Sequence, residues 1–310
     1  PPMPQRCGLR IAVVADLSTS LNYADSNGFT ESKNAANALI DSLAGTPAEL
    51  GIYNFAGGAP RAADGSTYRQ NPPYISLQSE QGVNRAKNIV ANWRGDGATN
   101  WEAGLKQVAA GNYDVVYFIT DGMPTLSSSF DRPKNAGGFV QASALNDAIK
   151  AANDLKASGT RVVPIMVDLT LGGKGKSRYT VTEDYVLKDV REWTDQTRDP
   201  QESGLYYQIY SSPDKAKYIG STDVTANFKW ALEGGGVKIM EKRPDKYSVD
   251  YVEKLPAKWT YGTRGVQTMG EDISGTGDTI RVEQYSKLAE QLKQIGEQLA
   301  SRCNGVVKVK

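Results

Sequence analysis

The stretch Arg10 to Ser20 reads RIAVVADLSTS. Its first part, Ile11 to Ala15, is an unbroken apolar run, the pattern of a central strand buried on both faces. The run stops at Asp16, and Ser18 and Ser20 follow at alternate positions. A buried strand that ends in one carboxylate and two hydroxyls presents half of an oxygen donor set for a hard cation. The other half has to come from loops that reach the same edge of the sheet.

Outward from this strand the chain alternates. The pattern predicts strands at Leu9 to Ala15, Glu49 to Ala56, Tyr113 to Thr120 and Thr160 to Asp168, a short one at Tyr74 to Leu77, and a last one at Thr279 to Glu283. Amphipathic helices are expected at Glu31 to Leu43 (capped by Thr30), Gly82 to Trp93, Trp101 to Ala110, Phe139 to Ser158 and Tyr285 to Ser301. Strand and helix in this rhythm give an α/β fold: a doubly wound, mostly parallel central sheet flanked by helices, with sites at the carboxyl ends of the strands. Two stretches break the rhythm. Residues 122–138 read as a short insertion rich in Ser, Pro and Gly, and 171–278 as a mixed, aromatic-rich inserted arm, with a helix expected at Glu183 to Trp193 after Thr182. The expectation is therefore one domain over 1–310 carrying an arm, and the alternating Val306 to Lys310 reads as the start of a following stalk domain.

Composition narrows the function classes. The chain has 310 residues and a net charge of +1, so no strong field argues for nucleic acid. It contains no apolar run long enough to span a membrane. Histidine is absent, which removes the commonest general base and zinc ligand and excludes a Ser-His-Asp triad. The two cysteines, Cys7 and Cys303, stand at opposite ends. They are either two free thiols or a clasp between the termini. A clasp would contribute about 4–5 kcal/mol in the chain-entropy model and imply an oxidising, extracellular setting.

Thr99, in the Gly-rich loop RGDGATNWEAGL (Arg94 to Leu105), and Asp121, in the turn after the strand Tyr113 to Thr120, are the loop residues that complete the donor set. Asp16, Ser18, Ser20, Thr99 and Asp121 offer only oxygen, which suits Mg²⁺ first and also Mn²⁺ or Ca²⁺.

DLSTS at Asp16 to Ser20, Thr99 in GATNWEAGL, and TDG at Thr120 to Gly122 together resemble the metal-ion-dependent adhesion site of von Willebrand factor A domains. The resemblance spans Leu9 to Asp168 and Thr279 to Ser301. It implies that Ser18 and Ser20 coordinate through their hydroxyls. Thr99 coordinates directly in a high-affinity state and through water otherwise, and Asp16 and Asp121 act mostly through bound waters. It also implies binding rather than catalysis: an open metal position accepts a carboxylate of a protein ligand. Within the family, TDGMPT at Thr120 to Thr125, the two insertions and the tail LKQIGEQLASRCNGVVKVK resemble the tip adhesins of Gram-positive sortase-assembled pili. That implies an extracellular, cell-wall-linked pilus tip, a host cell-surface or matrix protein as partner, and other pilins as neighbours through a stalk. The alternative from another class is an intracellular interaction module of the same fold, as in a metal-chelatase complex. A phosphoryl-transfer hydrolase built on Asp16 is disfavoured by the few carboxylates and the missing histidine.

Three further motifs carry less. Arg94-Gly95-Asp96 spells an integrin-binding tripeptide inside the loop committed to Thr99 and reads as a chance occurrence. GGKGK at Gly172 to Lys176 lacks phosphate-loop spacing and reads as a solvated loop. Asp168 reads as a turn or cap residue.

Overall fold

The computed structural model describes the chain except for residues 19–20, 22–26, 60–73, 96, 122–123, 125, 129–138, 168–177, 183–186, 195–204, 211–217, 224–234, 243–245, 256–259, 276 and 308–310. It divides the chain into two compact units, Pro1–Asp131 with Ala144–Arg178 and Gly265–Lys310, and Arg132–Ser143 with Tyr179–Arg264.

In the first unit the strands are β1 (Arg10–Asp16), β2 (Glu49–Phe55), β3 (Ile75–Ser76), β4 (Val115–Thr120), β6 (Arg161–Val167) and β14 (Ile280–Val282). They form one sheet in the order β14-β6-β4-β1-β2-β3. All neighbours are parallel except β3, which runs antiparallel to β2. The chain winds outward from β1 to β3, returns to the other side of β1 as β4, and winds outward again. The strand order therefore reverses between β1 and β4. In doubly wound sheets this is where neighbouring connections diverge and leave a crevice at the carboxyl ends. The α/β fold expected from the sequence is the one observed.

The helices are α1 (Gly28–Leu43), α2 (Glu80–Ala91), α3 (Trp101–Lys106), α4 (Ala142–Ala157), α5 (Val266–Ser274) and α6 (Leu288–Val307). One layer of core joins Ile11, Val13 and Ala15 of β1 to Leu39, Ile40 and Leu43 of α1 and Leu288, Leu292, Ile295 and Leu299 of α6. α1 and α6 pack so closely that a Cβ at Gly296 would lie 2.5 Å from Cβ of Ser42. Behind the sheet, Phe55 stacks on Phe118 with centroids 5.2 Å apart, and Trp101 meets Phe118 edge-on at 5.8 Å. Cys7 and Cys303 are bonded, with Cα atoms 4.8 Å apart, so the free-thiol reading is excluded. Among the described residues no helix is long and apolar enough to cross a membrane.

The second unit holds a five-stranded antiparallel sheet in the order β10-β9-β11-β12-β8 (Tyr218–Asp223, Leu205–Tyr210, Gly235–Lys242, Lys246–Leu255, Leu187–Thr194). It also holds a three-stranded sheet, β13-β7-β5 (Thr260–Gly265, Arg178–Thr182, Phe139–Gln141). β5 and β7 pair in parallel. Register puts Tyr206 in the row of Met240 and Val249, and Tyr207 in the next row with Ile239 and Asp250.

Several local expectations are corrected. From Leu187 on, the segment expected to be helical at Glu183 to Trp193 is strand β8, paired with Lys246–Val252, because a partner strand distant in the chain overrides the local pattern, and residues 183–186 lie outside the described residues. α1 starts at Gly28, with Asn27 as cap in a left-handed conformation (φ 54°), so Thr30 lies inside the helix. Phe139–Gln141 is a strand and the helix begins at Ala142. α5 belongs to the first unit although it lies within the stretch read as an arm. α6 runs on through Val306 and Val307, with a buried stripe of Leu292, Ile295, Leu299 and Cys303 at helical spacing, and residues 308–310 of the stretch read as the start of a stalk domain lie outside the described residues.

Candidate metal centre

Asp16 is the last residue of β1 and is 2% exposed. Its Oδ1 accepts the amide N–H of Ser18 at 2.8 Å, which closes a tight turn and holds Ser18, also 2% exposed, against the strand end. Its Oδ2 accepts the hydroxyl of Thr120, the last residue of β4, at 2.7 Å. Asp121 follows and is 5% exposed. Both carboxylates thus stand at the strand switch. Burial, and next the charge of Asp121, push the Asp16 carboxyl up to about 7, against a pull downward from its hydrogen bonds to Ser18 and Thr120.

Thr99 arrives from a third direction. It is 7% exposed and sits before α3, whose cap Asn100 accepts the amide of Ala103 at 3.0 Å. The end of β2 anchors the loops on both sides. The Phe55 carbonyl accepts the amide of Leu17 at 2.8 Å, the Ala56 carbonyl accepts that of Asn100 at 2.7 Å, and Gly57 donates to Gly97 at 3.0 Å. Ala98, just before Thr99, is a non-glycine residue at φ 62°, a strained conformation of the kind that persists where its surroundings fix it. α3 lies tight on the sheet, since a Cβ at Gly104 would come within 2.7 Å of the Phe55 ring.

The Thr99 and Asp121 loops are tied to each other. Leu126 donates its amide to the Thr99 carbonyl at 3.1 Å. Glu102, 6% exposed, takes the Ser128 amide on Oε1 at 2.8 Å and the Ser128 hydroxyl on Oε2 at 3.1 Å, and pairs with Lys106 at 3.0 Å. Burial pushes the Glu102 carboxyl up, but the bonds to Ser128 and Lys106 outweigh it and the net shift is downward.

Of the residues predicted from sequence, Asp16, Ser18 and Asp121 come together at the switch, and Thr99 is held in the loop tied to the Asp121 side. Ser20 lies outside the described residues, as do Asp96, Asp168 and Gly172 to Lys176. Arg94 donates to the carbonyls of Ala91 and Trp93 and so caps the end of α2. Among the described residues no three His, Cys, Asp or Glu side chains gather. The described part of the site offers the carboxylates of Asp16 and Asp121 and the hydroxyls of Ser18 and Thr99.

Sequence reading missed three residues. Thr120 bonds Asp16, and the sequence reading quoted it in TDG without giving it a role. Glu102 looks like an ordinary first-turn acid of a helix. Tyr285, 1% exposed, lies near both carboxylates, and burial, then Asp121, then Asp16 raise its phenol well above the usual range. No motif marks it.

No protein-family model matches the sequence, and no curated protein matches it significantly. Among solved structures, the chain is similar to the proximal thread matrix protein 1 of the mussel byssus (15% identity, TM-score 0.45, 95% of this chain covered and 48% of that one). It is similar to a von Willebrand factor type A protein from Catenulispora acidiphila (15% identity, TM-score 0.39, covering 87% and 69%). It is also similar to the PilB minor pilin from Streptococcus sanguinis (12% identity, TM-score 0.49, covering 100% and 65%). The chain thus spans about half the length of the mussel protein. The fold assignment rests on the strand order itself.

Proposed function

We propose that the chain is a cell-surface adhesin module. Its first unit takes a divalent cation at Asp16, Ser18, Ser20, Thr99 and Asp121 and thereby binds an acidic group of a host or matrix protein. Mg²⁺ is the first candidate, and Mn²⁺ or Ca²⁺ also suits the donors. The observation that supports this is the pair of buried carboxylates at the strand switch, with hydroxyls beside them instead of a third acid. Two carboxylates out of water repel each other and call for a positive charge. Oxygen-only donors fit a hard dication.

When bound, the cation supplies an electrophilic position that a ligand carboxylate completes. The chain's own residues supply the frame. Asp16 fixes Ser18 through its amide, Thr120 fixes Asp16, and the end of β2 holds the Leu17 and Asn100 backbones on either side. The Leu126 and Glu102 ties hold the Thr99 and Asp121 loops in one relation. Side chains held in this way lower the ordering cost of binding. The Cys7–Cys303 bond supports an oxidising, extracellular setting and with it display on a pilus or cell surface, with other pilins as neighbours. Binding, not turnover, is the activity of this reading.

The test is adhesion of the chain to immobilised extracellular-matrix proteins and to host cells. Chelation is expected to abolish binding, Mg²⁺ to restore it, and Ser18→Ala to abolish it with the circular dichroism spectrum unchanged. Binding that is indifferent to both chelator and Ser18→Ala would sink the proposal.

A further inference from the structure

We propose that Tyr285 is a positioning residue of the metal centre, its phenol O–H holding the Asp121 carboxylate from the core side. The inference rests on the metal-centre reading above.

Tyr285 opens a 3-10 turn three residues beyond β14. Register brings that turn to the site. Val282 pairs with Val167 on β6, and the preceding Met166 pairs with Thr120 on β4, so the end of β14 is level with Asp121. The ring of Tyr285 belongs to the same core as Leu17 and Leu21, which bracket the serine loop. Its hydroxyl is buried and makes no hydrogen bond of normal geometry among the described residues. A side chain serving only to fill the core would lose nothing as phenylalanine, whereas a buried hydroxyl forfeits its water. Here the hydroxyl lies where Asp121 and then Asp16 act on it, and Asp121 is within reach as acceptor. An O–H given to one oxygen of Asp121 fixes the carboxylate's rotation and reserves the other oxygen for the cation or its water. Ligating carboxylates are commonly held in this way by an outer donor, and loss of such a donor weakens metal binding about 10- to 100-fold.

The experiment is Mg²⁺ titration by calorimetry of wild type, Tyr285→Phe, Asp121→Ala and, as a core-tyrosine control, Tyr53→Phe. Thermal melts in chelator and ultraviolet difference spectra in the tyrosine band accompany it. Tyr285→Phe is expected to weaken Mg²⁺ binding at least about tenfold, to leave the chelator melt unchanged, and to remove a Mg²⁺-induced tyrosine difference signal that Tyr53→Phe retains. Wild-type affinity and an intact difference signal in Tyr285→Phe, with binding lost in Asp121→Ala, would overturn the role of Tyr285 and leave the metal centre standing. Failure of the wild type to bind Mg²⁺ would overturn the metal centre and this inference with it. Should Tyr285→Phe not fold, 3-fluorotyrosine placed at 285 keeps ring and hydroxyl. Its fluorine resonance is expected to shift on Mg²⁺ addition in the wild type and not in Asp121→Ala, and a resonance that stays still refutes the inference.

Discussion

Asp16→Asn separates the electrostatic cost of the site from its shape. Asparagine keeps an oxygen for the Ser18 amide, and its amide group can donate to the Thr120 hydroxyl, so the turn survives while the charge goes. The wild-type carboxyl is raised from 3.8 to about 7 by burial and by Asp121, so in that interval the folded state binds a proton that the unfolded state has released. Stability therefore falls as pH rises. The full difference is about 4 kcal/mol, of which about 2–3 kcal/mol falls between pH 5 and pH 8.5. The proton belongs to the Asp16–Asp121 pair, and Asp16→Asn removes the charge that the two carboxylates set against each other. The chain has no histidine, so no other side chain ordinarily titrates in that window. Urea denaturation in chelator is the assay. Wild type is expected to lose about 2–3 kcal/mol from pH 5 to pH 8.5 while Asp16→Asn stays nearly level. The variant is then the more stable protein at pH 8.5, and saturating Mg²⁺ reverses that order. Superimposable pH profiles of the two proteins in chelator would refute the reasoning, because the pair would then carry no buried charge.

The frame around the site can be tested in two further ways. Glu102→Gln removes the charge from the bonds to Ser128 and Lys106 and is expected to cost about 1–3 kcal/mol in urea denaturation. Because the Glu102 carboxyl is held below 4.5, that contribution is present above pH 4.5 and disappears as pH falls through the lowered folded value, so wild type and variant converge in acid. Reducing the Cys7–Cys303 bond, or replacing both cysteines with serine, is expected to lower stability by about 4–5 kcal/mol, since the bond closes a loop of sequence separation 296. Thiol titration of the native protein should find no free thiol, and two reactive thiols would contradict the extracellular reading.

The legible parts of the fold were those whose signal is local. β1, β4 and β6 are buried on both faces, so they appear as largely apolar runs. The meeting of Asp16, Ser18 and Asp121 was legible because each lies at or just past the carboxyl end of a strand, and the ends of neighbouring parallel strands meet. What could not be read depended on partners far away in the chain. β8 became a strand only because β12 pairs with it. α5 buries Met269 and Ile273, a single i, i+4 pair too short to stand out as a helical stripe. Tyr285 reaches Asp121 through the order of three strands, and nothing in the residues around it announces that order.

The number of acids in the site bears on what it can bind. Among the described residues, Asp16 and Asp121 are the carboxylates at the switch, and the other donors of the proposed centre are neutral hydroxyls. Against a dication two carboxylates leave no net negative charge, so an arriving ligand carboxylate meets no electrostatic excess. A third acid would leave the centre negative and would repel an acidic ligand while binding the cation more tightly. The burial that raises Asp16 serves the same end, because a low-dielectric pocket strengthens the attraction for any cation that enters. In the proposed centre a proton satisfies the pair in acid, and near neutrality a dication would take its place. Competition between the two is then a property of the site itself, and Mg²⁺ affinity is expected to fall as pH drops through about 7.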